Sequence, residues 1–237
     1  MENWLIRSEL LLGKDVLELL KSKRVAVVGL GGVGAYAAEM LARAGIGSLM
    51  VIDSDVINPS NKNRQLLALD STIGMAKTEV MAKRLIDINP QIELKITNEF
   101  LTGDNISELL SDRPIDFIID AIDTLSPKIA LIQYALSSEI PVVSSMGAGA
   151  KLDATKIRIT DISKSFNCPL AYMLRKRLRK LGIKNGFKVV FSEEVPDENA
   201  ILAVEEQNKK SVVGTISYMP AVFGSFCAQV VVQHFVR

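Results

Sequence analysis

The residues best suited to chemistry begin with GLGGVG, where Gly29, Gly31, Gly32 and Gly34 directly follow the apolar run Val25-Ala26-Val27-Val28. Glycines so spaced between a strand and a helix permit a tight turn, bring backbone N–H groups near a phosphate, and let helix and strand pack closely. The N-terminus of the following helix adds partial positive charge, so the chemistry on offer is binding of a nucleotide phosphate. A strand-to-helix turn that merely needs glycine is the plainer alternative, and the glycines alone do not say which nucleotide. Asp53 ends the next apolar run, about 20 residues on, where a carboxylate can accept hydrogen bonds from ribose hydroxyls. It also opens DSDVINPSNKNRQ, a polar stretch with Asp55, Asn61, Arg64 and Gln65 that a dehydrogenase has no reason to contain. Lys77 follows in the first turn of a helical segment. A cation there opposes the helix dipole, which is poor for the helix and sensible for a phosphate.

The elements that must hold these residues alternate between strand and helix. Helical spacing of Leu5, Leu12, Val16 and Leu19 predicts one or two short helices over 2–20, with Arg7 among them. Strands are expected at 25–28, 48–53, 92–97, 115–120 and 140–144, with helices after the glycine turn, from near Gly74, and over 126–138. That order predicts a doubly wound, mainly parallel α/β sheet, with strands at 156–161 and 187–192 added antiparallel in the C-terminal half. Asp123 and Thr124, just past the fourth strand, suit a helix N-cap. Between the two added strands Asn167 suits an N-cap, Pro169 a first turn and Gly182 a stop. Leu170, Leu174, Leu178 and Leu181 form one face of that helix, while Arg175, Lys176, Arg177, Arg179 and Lys180 cover the others. Five cations with no acid among them read equally as a solvated face or as a contact for a polyanion. Residues 193–211 lack periodicity and are expected to form a mobile loop that covers substrate. The chain then ends in a helix after Pro220 whose apolar face packs on the sheet or on a second subunit.

GxGGxG, a strand ending in DxD, then SNxNRQ and GxxK together resemble the adenylation domain of the ThiF, MoeB and ubiquitin-activating superfamily, over nearly the whole chain. The later segments IRITDISKSFNCPLAYMLRKRLRK, VVFSEE and GTISYMPAVFGSFCAQVVV are similar to its tRNA-directed branch, the tRNA threonylcarbamoyladenosine dehydratases. The resemblance implies a single Rossmann-like adenylation domain over 1–237. Within it, 1–22 would be a helical arm, 23–150 the nucleotide-binding half, and 151–237 the half that meets tRNA and a second subunit. It implies ATP and Mg2+ as cofactors, with a monovalent cation as a further possibility. Asp53 would hold the ribose, Arg64 and Lys77 the triphosphate, with Asp55, Asn61 and Gln65 in the same pocket. Asp123 falls on the magnesium position, which suits an ion that takes one or two carboxylates plus phosphate oxygens. Arg7 would reach into the partner subunit's site, and the basic helix would contact the tRNA backbone. The implied partners are tRNA carrying threonylcarbamoyladenosine, a second copy in a homodimer, and a sulfurtransferase or cysteine desulfurase system. The implied reaction is ATP-dependent dehydration of that base through carboxylate adenylation and ring closure. An adenylyltransferase acting on the C-terminal Gly-Gly of a small sulfur-carrier protein shares every ATP residue and is the nearest alternative. An NAD-dependent dehydrogenase would leave Asn61, Arg64, Gln65 and Lys77 unexplained.

Composition narrows the field further. The 237 residues suffice for a large core without disulfides, and 28 basic against 27 acidic side chains give a net charge of +1. Any nucleic-acid surface must therefore be a local patch. Cys168 and Cys227 lie far apart and no CxxC occurs, which excludes a tetrathiolate zinc site. Cys168 reads either as a thiol activated by a helix N-terminus and nearby cations or as a small half-buried side chain. His234 stands alone near the end of the chain, far from the nucleotide motifs. The N-terminus does not read as a signal peptide, and the apolar 218–232 stretch is short of the ~20 residues a bilayer demands. The expectation is a cytoplasmic protein with no transmembrane segment.

Overall fold

The computed structural model describes residues 4–111, 113–206 and 209–236, without the side chains of 203–206 and 209–211. Helices α1 (Ile6–Leu12) and α2 (Lys14–Ser22) precede the sheet. Then come β1 (Arg24–Val28), α3 (Gly34–Arg43), β2 (Ser48–Ile52), α4 (Lys77–Ile88) and β3 (Glu93–Thr97), which run outward to one edge. The chain crosses back through α5 (Ile106–Ser111), which the sequence did not announce, into β4 (Phe117–Asp120), α6 (Leu125–Ser137) and β5 (Val142–Ser145). It continues through β6 (Ile157–Asp161), α7 (Pro169–Lys180), β7 (Lys188–Ser192), β8 (Ile201–Glu206), β9 (Lys209–Val213) and α8 (Tyr218–Val236).

Seven strands form one sheet in the order β3-β2-β1-β4-β5-β7-β6, parallel throughout except for the β6–β7 pair. Because the sheet is covered on both sides, the inner strands β1, β2, β4, β5 and β7 each feed two cores. Val25, Val27, Leu49, Val51, Phe117 and Ile119 point to the side of α3 and α8. Ala26, Val28, Met50, Ile52 and Ile118 point to the side of α6 and α7. This is why the central strands read as unbroken apolar runs rather than alternating ones.

Helix α7 shows which force wins on a crowded cationic surface. Neighbouring cations three and four residues apart cost about 0.2–0.5 kcal/mol per pair. Each buried leucine contributes about 1.5–3 kcal/mol, and Ala171, Leu174 and Leu178 are all buried. The helix therefore forms despite its charge, and ends where Gly182 takes φ +81° and Ile183 N–H closes on Leu178 O at 3.0 Å. The buried face differs from the expected leucine row: Ala171 lies inside, while Leu181 is half exposed. The N-cap is Cys168 rather than Asn167. Asn167 adopts φ +50°, which asparagine tolerates, and its amide donates to Glu193 O at 2.8 Å.

Residues 193–211 do not form the expected loop. β8 and β9 pair antiparallel as a separate hairpin with a register shift between Ala203 and Glu206; residues 207 and 208 lie outside the described chain. The base of the hairpin is fastened by Gly214 N–H to Ala200 O and by Ala150 N–H to Gly214 O, both 2.7 Å. Backbone pairing thus supplies an order that the side-chain pattern does not advertise. Among the described residues α8 is the one helix long and apolar enough to cross a membrane, yet it packs on α3 and β5 with Phe223, Cys227 and Val231 fully buried.

Candidate nucleotide and substrate site

The chain turns back at β1, running first toward β3 and then toward β5, so a crevice opens between the C-terminal ends of β1 and β4. The glycine loop lies there. Gly29 takes φ +90°, and a Cβ on it would sit 2.8 Å from Ala121 O, just past β4. A Cβ on Gly34 would lie 1.8 Å from Gly29 O, so no other residue allows α3 to start so close to β1. Gly32 abuts Pro220 at the start of α8, while Gly31 faces the Gln65 amide.

Asp53, at the end of β2, braces the loop. Its carboxylate accepts the Leu30 N–H at 2.5 Å and the Asp55 N–H at 2.8 Å. Burial pushes its carboxyl above the ordinary aspartate value, an effect opposed by Lys77 and by those two N–H groups. Lys77 is the first residue of α4 and is only 4% exposed. Its ammonium lies 2.7 Å from the Asp55 carboxylate and 3.9 Å from that of Asp53. Antiparallel contacts between 55–57 and 74–77 hold it there, including Lys77 N–H to Asp55 O at 3.1 Å.

The SNKNRQ segment folds over the loop. Asn58 N–H donates to Asn61 Oδ1 at 3.0 Å, which locks the turn. The Arg64 guanidinium donates to Ser60 O and Asn63 Oδ1, and its backbone carbonyl approaches Gly32. Gln65 is buried, and its Oε1 has no hydrogen-bond partner among the described residues. An orphaned acceptor on a buried amide costs about 1–3 kcal/mol, and a ligand donor would relieve it. That orphan, the Cβ-free cradle of Gly29 to Gly34, and the cation Lys77 fit a nucleotide.

One part of the site escaped the sequence. Asp120 and Lys128 are both fully buried and paired at 2.9 Å, with Ser144 Oγ donating to Asp120 at 2.6 Å. Lys128 also donates to Ile122 O at 2.8 Å, and Ile122 N–H to Asp120 at 3.1 Å. The exposed Asp123 therefore follows a residue fastened through both its N–H and its carbonyl. Thr124 is the N-cap of α6, without a side-chain capping bond. Cys227 lies next to this pair, and burial pushes its thiol up to about 12, so it stays protonated.

The ThiF family model matches residues 5–236. The chain belongs to the ThiF family. It is 44% identical over 206 residues to the tRNA threonylcarbamoyladenosine dehydratase of Bacillus subtilis, covering 87% of this chain and 79% of that protein. The crystal structure of Escherichia coli TcdA, a tRNA N6-threonylcarbamoyladenosine dehydratase, in complex with ATP superposes with a TM-score of 0.90 at 36% identity. That match covers 99% of this chain and 96% of the other. The molybdopterin-synthase adenylyltransferase of Escherichia coli is 32% identical over 154 residues, 65% of this chain and 61% of that protein.

The remaining candidates of this ThiF protein stand outside the crevice. Arg7 is exposed on α1. That helix is seated through Leu5 against Gly45, near the N-terminal end of β2 and away from the glycine loop. The protomer does not bring Arg7 to its own site. On α7, Lys176, Arg177, Arg179 and Lys180 are exposed, whereas Arg175 is half-buried and donates to Ser165 Oγ. Cys168 is buried at the start of α7. His234 packs edge-on against Phe117 at the far end of the sheet.

Proposed function

We propose that this ThiF protein dehydrates threonylcarbamoyladenosine in tRNA at the expense of ATP. The observation that carries this reading is the near-complete likeness to a dehydratase solved with ATP, extending through the C-terminal half as well as the nucleotide site. When bound, ATP supplies activation: the threonyl carboxylate is adenylated with release of pyrophosphate, and a nucleophile of the same substituent closes the ring with release of AMP.

The chain's own residues contribute position and charge. Asp53 braces the glycine loop and, in this reading, accepts the ribose hydroxyls. Lys77, already paired with Asp55, has donors to spare for phosphate oxygens. Arg64 and Asn61 close the same wall, and Gln65 offers its unpaired oxygen. Asp123 is the residue that would hold Mg2+. Among the described residues no cluster of three or more His, Cys, Asp or Glu side chains exists to cage a metal, and magnesium carried mainly on phosphate oxygens needs none. Because the closing nucleophile belongs to the substrate, proximity provides much of the rate. The exposed cations of α7 would track the tRNA backbone, adding salt-sensitive affinity without base readout. The same reading includes a homodimer in the cytoplasm, with Arg7 donated across it, and a sulfurtransferase or cysteine desulfurase system as a further partner. The carrier-protein adenylyltransferase remains the second reading, and its shorter, weaker match puts it second.

The test is to incubate the protein with ATP, magnesium and total tRNA, digest the RNA, and follow the threonylcarbamoyl nucleoside by mass spectrometry. Loss of one water that needs ATP and vanishes in Lys77→Ala is the expected result. Normal ATP binding without any loss would transfer the case to the carrier-protein reading.

A further inference from the structure

Lys151 is a buried lysine without an ion-pair partner among the described residues. It is 3% exposed, and its Nζ makes one hydrogen bond among the described residues, to Gly147 O at 3.3 Å, and no ion pair. A buried ammonium is costly unless paired. Burial accordingly lowers its pKa, an effect opposed by Cys168 and by the charge of the Glu194 carboxylate. Glu194 is committed elsewhere, accepting from Leu152 N–H at 3.0 Å and Asp153 N–H at 2.8 Å. The lysine is held in place at some strain. Ala150, immediately before it, adopts φ +56°, fixed by its N–H on Gly214 O and by Asp197 N–H on its own carbonyl at 3.0 Å.

Its position gives the strain a use. Asp120 of β4 is in register with Ser144 of β5, so the loops that carry Asp123 and Gly147 both leave the sheet from the C-terminal ends of adjacent strands. Gly147, to which Lys151 is bonded, is thus one strand over from Asp123 along the edge where ligands of such sheets bind. On its other side Gly147 meets the first turn of α7, with Cys168 Sγ and Leu170 Cβ at 3.8 and 4.0 Å from where its Cβ would be. Cys168 gives that turn no side-chain cap, and the exposed cations begin two turns later.

We propose that Lys151, the Gly147 turn and the first turn of α7 form the subsite that receives the carboxylate of the threonylcarbamoyl group. The proposal rests on the dehydratase reading. Lys151 is then the residue that distinguishes modified from unmodified tRNA, while α7 binds either.

The experiment measures equilibrium binding of tRNA carrying threonylcarbamoyladenosine, and of the same tRNA lacking it, to wild type, K151M and K151R with a non-hydrolysable ATP analogue. Wild type should prefer the modified tRNA by about tenfold or more, as expected for a charge-assisted contact. K151M should bind both within about twofold, with unchanged affinity for unmodified tRNA and for the analogue, and K151R should recover part of the preference. Since methionine removes an uncompensated charge at similar volume, K151M should melt no lower than wild type. A K151M protein that keeps the preference, or one that melts lower and also loses the analogue, overturns the subsite. If wild type itself shows neither preference nor loss of water from the nucleoside, the dehydratase reading falls first and the subsite with it.

Discussion

At the scale of single residues, the site depends on how buried charge is neutralised. Lys77 is buried but leans on two carboxylates, one of them the exposed Asp55, whereas Lys128 and Asp120 are sealed in together. Taking two charges out of water is repaid only when geometry is good and the remaining groups are satisfied. Here Ser144, Ile122 N–H and Ile122 O satisfy them. Removing one partner should be far worse than removing both. We expect K128M to lose about 3–5 kcal/mol of stability, and D120N/K128M to recover most of it, as read by urea unfolding. A loss in K128M below about 1 kcal/mol would equate this pair with a surface ion pair and dissociate it from the stiffness of the Asp123 loop.

At the scale of elements, α7 combines a structural face and a cationic one. Among the described residues its four exposed cations make no side-chain hydrogen bond or ion pair, but Arg175 is tied to Ser165. Reversing Lys176, Arg177 and Arg179 to glutamate should weaken tRNA binding and lower the slope of log affinity against log salt by about one for each phosphate no longer neutralised. Arg175→Ala should act on melting temperature more than on that slope. Unchanged affinity in the triple variant would make the helix a solvated face only. Elements differed in how visible they were beforehand. The central strands were legible because burial on both faces leaves continuous apolar runs, and the glycine loop because Gly29 and Gly34 admit no side chain. The β8–β9 hairpin was not, since its order comes from backbone bonds to Ala150 and Ala200 and its residues mix charge with valine. Lys128 and Lys151 were missed because a lysine in a sequence reads as a surface cation. The signal that could have found Lys128 is its isolation in SPKIALIQYAL, a helical stretch with no other charge.

At the scale of the whole molecule, the notable fact is a separation. Arg7 sits on α1, a seven-residue helix that buries none of its own residues and exposes Ile6, Leu10 and Leu11. Such a helix is poorly explained by the protomer alone, because short helices gain their stability from packing an apolar face. A second copy covering it would carry Arg7 toward the neighbour's crevice, as the family resemblance implies. Complementation distinguishes this arrangement from an arginine that merely decorates the surface. In that arrangement R7A and K77A proteins should each be inactive. Mixed after dissociation and reassembly, they should form heterodimers in which one crevice keeps Lys77 and receives Arg7 from the K77A subunit. In a random mixture about half the dimers are mixed and one of their two sites is intact, so roughly a quarter of wild-type turnover should return. An active R7A protein would place Arg7 outside the reaction, whereas an inactive R7A that K77A fails to rescue, with heterodimers present by native mass spectrometry, would deny that Arg7 acts across the dimer.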